Sequence, residues 1–379
     1  MIKSFKYRLY PTDKQAKSLV SQLDGHRYLY NSALAQRKDV YETTGKGIGY
    51  YAQATTLLPK LKKESDTLTL CNYSSLQQTL RRLDKSFKAF FRRVKSGEKP
   101  GYPRFKPADR FNTIAYAVLG DGCQVKENRL YLQNIGCIKV KWHRPIEGNI
   151  KTLSVSRRNN KWYVSFAVEC EVKTFPKTGK KIGIDVGLNA FLSTSDGIQI
   201  KPPKFLKTSE RQLRKAQKRL SRRKRGSIRR DKTRILVARH HEKITNQRLD
   251  FCHKIAHSLV KEYDGFAVEN LNIKGMIKNH HLAKSISDAG WGMFLAILKS
   301  KAENAGRWYQ EVIPNGTSQE CSSCGLVVKK SLAVRVHNCP YCGLSLDRDM
   351  NAALNILQKA RIEPSWRGGV SMPLVEARS

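Results

Sequence analysis

Phe5, Tyr7 and Leu9 alternate with Lys6, Arg8 and Tyr10, the period of a half-buried strand. Pro11 ends that run, and Thr12 with Gln15 has the spacing of a capping box for a following helix. Ala16, Leu19, Val20, Leu23, Tyr30 and Leu34 give this helix one apolar face. A second amphipathic helix is predicted where Leu76, Leu80, Leu83, Phe87, Phe91 and Val94 recur at helical spacing. Residues 97–107, interrupted by Gly and Pro, read as a connector. From 111 to 172 the pattern becomes short strands, at 130–142, 150–156 and 162–169, the last two joined by a turn at Asn159 and Asn160. This predicts a small barrel or sandwich that takes in the N-terminal strand, with the helices inserted between. Residues 173–180 read as a linker.

The second half alternates strands and helices. Residues 181–187 form an apolar strand that ends in Asp185, and 266–272 a second that ends in Glu269. Residues 190–194 and 198–200 flank Asp196-Gly197, a hairpin signal. Leu213, Ala216 and Leu220 keep helical spacing until Gly226-Ser227, and a further helix is predicted from about 231 to 261. Trp291, Phe294, Leu295 and Leu298 mark the inward face of a helix at 290–305, and Asp349 opens an apolar helix that runs to Ile356.

Charge changes this picture. The 379 residues carry 71 Lys and Arg against 31 Asp and Glu, a formal net charge of +40, which points to a polyanionic partner. Nucleic acid fits better than a membrane surface, because the basic residues are spread over the whole chain and no run of about 20 apolar residues exists. The N-terminus enters an amphipathic strand at once, so no secretory signal is expected. The polar face of the second helix holds Arg81, Arg82, Lys85, Lys88, Arg92 and Arg93. Residues 211–234 are more basic still and include Arg222, Arg223, Lys224 and Arg225. A solvated face explains one such helix, but one-signed charge favours phosphate contact.

Against this background three carboxylates sit at the ends of apolar elements: Asp185, Glu269 and Asp349. Elements packed side by side would bring them to one point. Mg²⁺ takes oxygen ligands, and two such ions on shared carboxylates can clamp the attacking and leaving oxygens of a phosphodiester. Asp185 would serve both ions, with Glu269 and Asp349 completing one site each.

Of nine cysteines, four form two C-x-x-C pairs, Cys321 with Cys324 and Cys339 with Cys342, each followed by glycine and separated by 14 residues. Four thiolates at this spacing predict one closed, structural Zn²⁺ site of the zinc-ribbon kind. Cys71, Cys123, Cys137, Cys170 and Cys252 lie scattered in apolar surroundings, which suits a reducing, cytoplasmic location. His337 reads as a surface residue rather than a stand-in ligand.

Several stretches together resemble the TnpB family, the OrfB-type transposon proteins related to type V CRISPR nucleases. They are Tyr7-Arg8-Leu9-Tyr10-Pro11-Thr12, Gly101-Tyr102-Pro103-Arg104-Phe105-Lys106, Gly183-Ile184-Asp185-Val186-Gly187 and Asn246-Gln247-Arg248. Val268-Glu269-Asn270-Leu271, Thr317-Ser318-Gln319-Glu320-Cys321 and Asp349-x-Asn351-Ala352-Ala353 complete the set. The resemblance implies an α+β multidomain protein. A β-barrel wedge (residues 1–10 and 101–175) would carry an inserted helical recognition lobe (11–100). An RNase H-like, RuvC-type nuclease domain (180–313 and 347–379) would carry an inserted zinc ribbon (314–346). It also implies a guide RNA from the transposon end, Arg248 among the nucleic-acid contacts, cleavage of matching double-stranded DNA, single-stranded DNA as a further partner, and one protein per RNA.

Three functions are thus compared: an RNA-guided endonuclease, a nuclease-silent regulator of transposition or transcription, and a DNA-rejoining transposase. The filled carboxylate trio argues for the first. The third ranks last, because His240-His241 and His280-His281 are adjacent pairs and not the His-x-His that tyrosine chemistry wants.

Overall fold

The first strand, β1 (Ile2–Tyr10), is flanked on both sides by strands that arrive more than a hundred residues later. The computed structural model describes residues 1–171, 174–331 and 334–362, and the chain divides into two units, 1–171 and 172–379. After β1 come the helix α1 (Asp13–Thr44), the short turns α2 (Tyr50–Ala52), α3 (Leu58–Glu64) and α4 (Asp66–Thr69), and α5 (Tyr73–Lys95). Then follow β2 (Thr113–Tyr116), β3 (Cys123–Lys126), β4 (Arg129–Leu132), β5 (Gly136–Lys141), β6 (Asn149–Arg158) and β7 (Lys161–Glu169). These strands form one antiparallel sheet in the order β2-β6-β7-β1-β5-β4-β3.

The alternation read in the sequence sets the register. Phe5, Tyr7 and Leu9 face Phe166, Val164 and Trp162, and all six are buried in one core with Leu19, Leu29 and Leu34 of α1 and Leu76, Leu80 and Leu83 of α5. The capping box is present, with Thr12 N–H donating to Gln15 Oε1 at 3.0 Å and Gln15 N–H to Thr12 Oγ1 at 3.3 Å. Asn159 and Asn160 both adopt positive φ, as a two-residue turn matched to strand twist requires.

Three expectations need correction. The apolar stripe of α5 outruns its buried face: Phe91 is 61% and Val94 51% exposed, because the burial on this helix ends at Phe87. The run at 130–142 is two strands, folded back at Asn134, whose φ is 62°. The strands form one hydrogen-bonded sheet and not the two of a sandwich.

In the second unit, β8 (Lys181–Asp185), β9 (Leu192–Thr194) and β10 (Gln199–Ile200) form an antiparallel meander. The helices α6 (Phe205–Ser221) and α7 (Ile228–Glu262) precede β11 (Gly265–Glu269). The short α8 (Ile273–Met276) and α9 (Ala283–Ala289) lead to α10 (Trp291–Asn304) and β12 (Trp308–Val312). The last elements are the hairpin β13 (Val336–Asn338) and β14 (Ser345–Asp347), and α11 (Arg348–Ile362). Strands β11 and β12 run parallel to β8 in a sheet ordered β10-β9-β8-β11-β12. The expected hairpin at Asp196-Gly197 is present, with Gly197 at φ 85°. α7 starts three residues before its predicted start, where Ser227 caps the backbone N–H of Arg230 at 3.2 Å.

The expected linker is held in place over its described part. The Asp264 carboxylate accepts the N–H groups of Thr178 and Gly179 at 2.8 and 2.7 Å and pairs with Arg307, which donates to Pro176 O. Lys173 and the last 17 residues of the expected nuclease domain, 363–379, lie outside the described residues. Among the described residues no helix is long and apolar enough to cross a membrane, and none of the nine cysteines is in a disulfide.

His26 joins α1 to α5. It is fully buried, with its ring nitrogens 2.8 Å from Thr79 Oγ1 and 3.1 Å from Ser75 Oγ. Burial pushes its pKa down to about 3, against about 6.5 in the unfolded chain. Between these values the unfolded chain takes a proton that the folded one refuses, so stability falls as pH drops below about 6.5 and is fully present above it. At pH 5 the loss from this residue is about 2 kcal/mol. Denaturant melts across pH 4–8 should show wild type losing stability on acidification relative to His26→Gln. Parallel pH profiles for the two proteins would contradict the assignment.

Candidate active site and metal centre

The geometry of the carboxylates follows from strand register. Gly183 pairs with Ala267 and Ile184 with Val268 in the parallel β8–β11 ladder. Asp185 and Glu269 are the next residues on each strand, two beyond the small pair and therefore on the same face of the sheet. That face is covered by α11. A Cβ on Gly183 would collide with the Ala353 carbonyl oxygen and lie 2.9 Å from Leu357 Cβ, so glycine lets helix and strand backbones touch. One turn back from Ala353 is Asp349, so the contact that seats the helix also brings Asp349 towards Asp185.

Electrostatics report the same convergence. Burial raises the Asp185 pKa, the Glu269 and Asp349 carboxylates raise it further, and the Arg348 guanidinium offsets part of the effect, leaving it at about 7. Burial also raises Glu269, opposed by the Thr317 hydroxyl and by Lys359. Thr317 Oγ1 donates to Glu269 Oε1 at 2.5 Å. Arg348 Nη2 and Nε donate to Asp349 Oδ1 at 3.2 and 3.3 Å, with Arg335 Nη1 3.9 Å from the same oxygen. A half-buried carboxylate cluster of this kind is stabilised by a bound cation.

The four cysteine sulfurs of Cys321, Cys324, Cys339 and Cys342 lie within 4.8 Å of one another. The Cys321–Cys342 and Cys324–Cys339 separations are both 3.6 Å. Four thiolates at about 2.3 Å from a tetrahedral zinc would stand about 3.8 Å apart, so the donor set and its spacing fit that ion. The two halves are built alike. Cys321 N–H donates to Leu326 O at 2.9 Å and Cys339 N–H to Leu344 O at 2.8 Å. Gly325 and Gly343 supply the positive φ that each turn needs, 77° and 72°. His337 is fully buried beside Lys330, not on the surface, because its strand β13 turns that side chain inward. It is not part of the sulfur cluster.

The expected nucleic-acid contacts divide. Arg222, Lys224 and Arg225 are exposed in the turn between α6 and α7, with Arg223 half-buried beside them. Arg81, Arg82 and Arg92 are exposed on α5 and Arg93 is half-buried. Arg82 lies 4.4 Å over the Phe111 ring and Arg81 5.1 Å over Tyr50. Arg248 faces inward: its Nη2 donates to Asp288 Oδ1 at 2.6 Å in a half-buried ion pair, and the same oxygen accepts Leu206 N–H at 3.0 Å. It ties α7 to α9 and to the start of α6.

Sequence reasoning missed the polar stripe of α11. Asn351 Nδ2 donates to Glu320 O at 2.7 Å and its Oδ1 accepts Ser322 N–H at 2.9 Å. Asn355 Nδ2 donates to Thr317 O and Glu320 O at 2.8 and 2.7 Å. Two asparagines at i and i+4, set among Ala352, Ala353 and Ile356, were the available signal: buried amides need partners.

Comparison with known proteins identifies the family. The family described as "Probable transposase" (OrfB, IS605) matches residues 165–280, and the "Cas12f1-like, TNB domain" matches 291–356. The OrfB helix-turn-helix domain matches 1–46, where the structure has one strand and one 32-residue helix. Two curated relatives bear the name "Putative RNA-guided DNA endonuclease". The one from Streptomyces pristinaespiralis is 34% identical over 94% of this chain and 88% of its own length. InsQ of Escherichia coli (strain K12) is 28% identical over 94% and 92%. In fold, the chain is similar to the protein of a Cas12f1–sgRNA–target DNA complex, with TM-score 0.61 at 14% identity over 94% of this chain and 98% of that one. It is also similar to the mini-RNA-guided endonuclease CRISPR-Cas_phi3, with TM-score 0.51 at 10% identity over 95% and 92%. A one-third identity sustained over nearly the full length, with family matches in both units, places the chain in the OrfB family of IS605-type transposon proteins, the TnpB group.

Proposed function

We propose that the chain is an RNA-guided DNA endonuclease of a transposable element, hydrolysing phosphodiester bonds in target DNA. The observation that carries this reading is that strand register and the seat of α11 bring Glu269 and Asp349 near enough to Asp185 to act on its charge, a focus of negative charge in a chain of net charge +40. Such a focus repels nucleic acid unless it is neutralised by cations. The names borne by the two relatives and the guide RNA and target DNA in the Cas12f1 complex support RNA and DNA as partners.

Residues 1–10 and 101–175 would act as a wedge and 11–100 as a recognition lobe. Residues 180–313 and 347–379 would form the RuvC-like nuclease, and 314–346 a zinc ribbon held by Cys321, Cys324, Cys339 and Cys342. The order β10-β9-β8-β11-β12, a meander extended by two parallel strands, suits an RNase H-type nuclease. Asp185, Glu269 and Asp349 would hold two Mg²⁺ ions, which when bound activate water and stabilise the leaving 3′ oxygen. The chain's own part is to orient: Thr317 fixes one Glu269 oxygen, and Arg348 holds the Asp349 carboxylate. Asp185 is half-buried, so its charge would be less screened by solvent than that of a surface carboxylate.

Asp185→Ala, Glu269→Ala and Asp349→Ala should each lower the cleavage rate by about a thousandfold, equivalent to about 4 kcal/mol. RNA and DNA affinities should stay within a few-fold of wild type. Cutting at wild-type rate by any of the three, in Mg²⁺ with guide RNA and matching duplex, would remove the assignment.

Wild-type protein should carry one zinc per chain by elemental analysis, and Cys321→Ser should lose it. Amide exchange between residues 314 and 346 should then accelerate. Metal-free wild-type protein with slow exchange in that segment would contradict the zinc reading.

Neutralising Arg222, Arg223, Lys224 and Arg225 together should weaken nucleic-acid binding and flatten its salt dependence. Each lost contact should reduce the log–log slope by about 0.7 for a single strand and about 0.9 for duplex. An unchanged slope would return this turn to plain solvated charge.

A further inference from the structure

The Thr317 side chain is 3% exposed, and its one hydroxyl proton has two acceptors in reach, Glu269 Oε1 at 2.5 Å and Pro314 O at 3.2 Å. The shorter and charged partner takes it. That proton leaves one Glu269 oxygen committed and the other to face a ligand. What holds Thr317 is the polar stripe of α11: its own carbonyl accepts Asn355 Nδ2. Three residues on, the Glu320 carbonyl takes both Asn351 Nδ2 and Asn355 Nδ2. Both amide hydrogens of Asn355 are thereby used. Gln358 Nε2 donates to Ser322 O at 2.9 Å, and Lys359 Nζ reaches the Glu320 carboxylate at 3.1 Å.

The next residue after Glu320 is Cys321, a buried member of the sulfur cluster. The segment 314–322 is therefore pinned at three places: by Glu269, by the stripe on α11, and by whatever fixes the Cys321 sulfur. Nothing in the segment is regular secondary structure apart from a single bridge from Glu320 to Val327. Without its third anchor it would rest on side-chain hydrogen bonds and a few local backbone ones, such as those from Gln319 and Glu320 N–H to Gly316 O.

We propose that Thr317 is a positioning residue for Glu269, and that filling the four-cysteine site sets Thr317 in place, so that zinc occupancy controls how tightly the carboxylate cluster binds its divalent cation. The inference rests on the reading of Glu269 as a cation ligand. Hydrogen-bond partners of metal ligands of this kind are worth 10- to 100-fold in metal affinity.

The test uses the full chain without DNA and Mn²⁺ as the probe, with binding read by calorimetry and zinc content measured on the same samples. Thr317→Val, which removes the hydroxyl and keeps the shape, should weaken Mn²⁺ binding about tenfold or more while zinc stays stoichiometric. Thr317→Ser should restore wild-type affinity. Cys321→Ser should lose zinc and weaken Mn²⁺ binding by a similar factor. In the double variant Thr317→Val/Cys321→Ser the two effects should overlap and not multiply, since both act through one hydrogen bond. Wild-type affinity in Thr317→Val, equal weakening in the Ser and Val variants, or effects that multiply would each overturn the proposal. Glu269→Ala separates this from the reading beneath it: Mn²⁺ binding unaffected by Glu269→Ala removes the carboxylate site itself. Loss in Glu269→Ala with no change in Thr317→Val removes only the positioning role.

Discussion

Backbone contact between α11 and β8 at Gly183 is the constraint on which the second unit depends. A helix normally stands off a sheet by the depth of its side chains, about 10 Å between layers. Here the missing Cβ of Gly183, with Ala267 beside it in the ladder, lets the Ala353 carbonyl descend onto the strand. The two residues that follow on each strand then rise towards the first turn of the helix. The carboxylates meet because small residues sit beneath them, and a larger side chain at 183 would lift the helix and part the cluster.

The same helix carries a second load. Its apolar side, Ile356, Leu357 and Ala360, packs on Ala267 and Val312, while its amide side holds the strand of chain that leads to Cys321. One 15-residue helix thus links sheet, carboxylates and sulfur cluster, with Asp349 in its first turn between them. Replacing either amide by an apolar side chain would leave backbone groups of Thr317, Glu320 or Ser322 without their partner, at a cost in stability. The directionality of the amides fixes the segment 314–322 in one register on the helix, which apolar packing alone would leave loose.

What was legible in the sequence was local. Each carboxylate closes or opens an apolar element, the C-x-x-C-Gly repeats state their own geometry, and Thr12 with Gln15, Asn159-Asn160 and Asp196-Gly197 are short-range turn and cap chemistry. The misreadings concern partners far away in the chain. Phe91 and Val94 continue a helical stripe beyond the surface that covers it, since periodicity reports an amphipathic face but not how much of it is met. Arg248 enters as a nucleic-acid contact through the resemblance alone, and its ion pair with Asp288 is not visible in the sequence because the partner stands 40 residues on. His337 lies between cysteines in a loop-like stretch, and only the β13–β14 pairing turns it inward. The role of Gly183 shows only once the helix above it is known.

The placement of β1 has a consequence for synthesis. Its neighbours β5 and β7 end at residues 141 and 169, so once β1 has left the ribosome it cannot pair fully with β5 until some 130 residues more have been made, nor with β7 until some 160. At about 5–20 residues per second it waits about 10–30 s, an amphipathic strand with two open edges and Phe5, Tyr7 and Leu9 uncovered. Helix α1 forms from local contacts as soon as its 32 residues emerge and can cover that apolar face, so the helices that intervene between β1 and the rest of the sheet also act as a temporary shelter for its central strand.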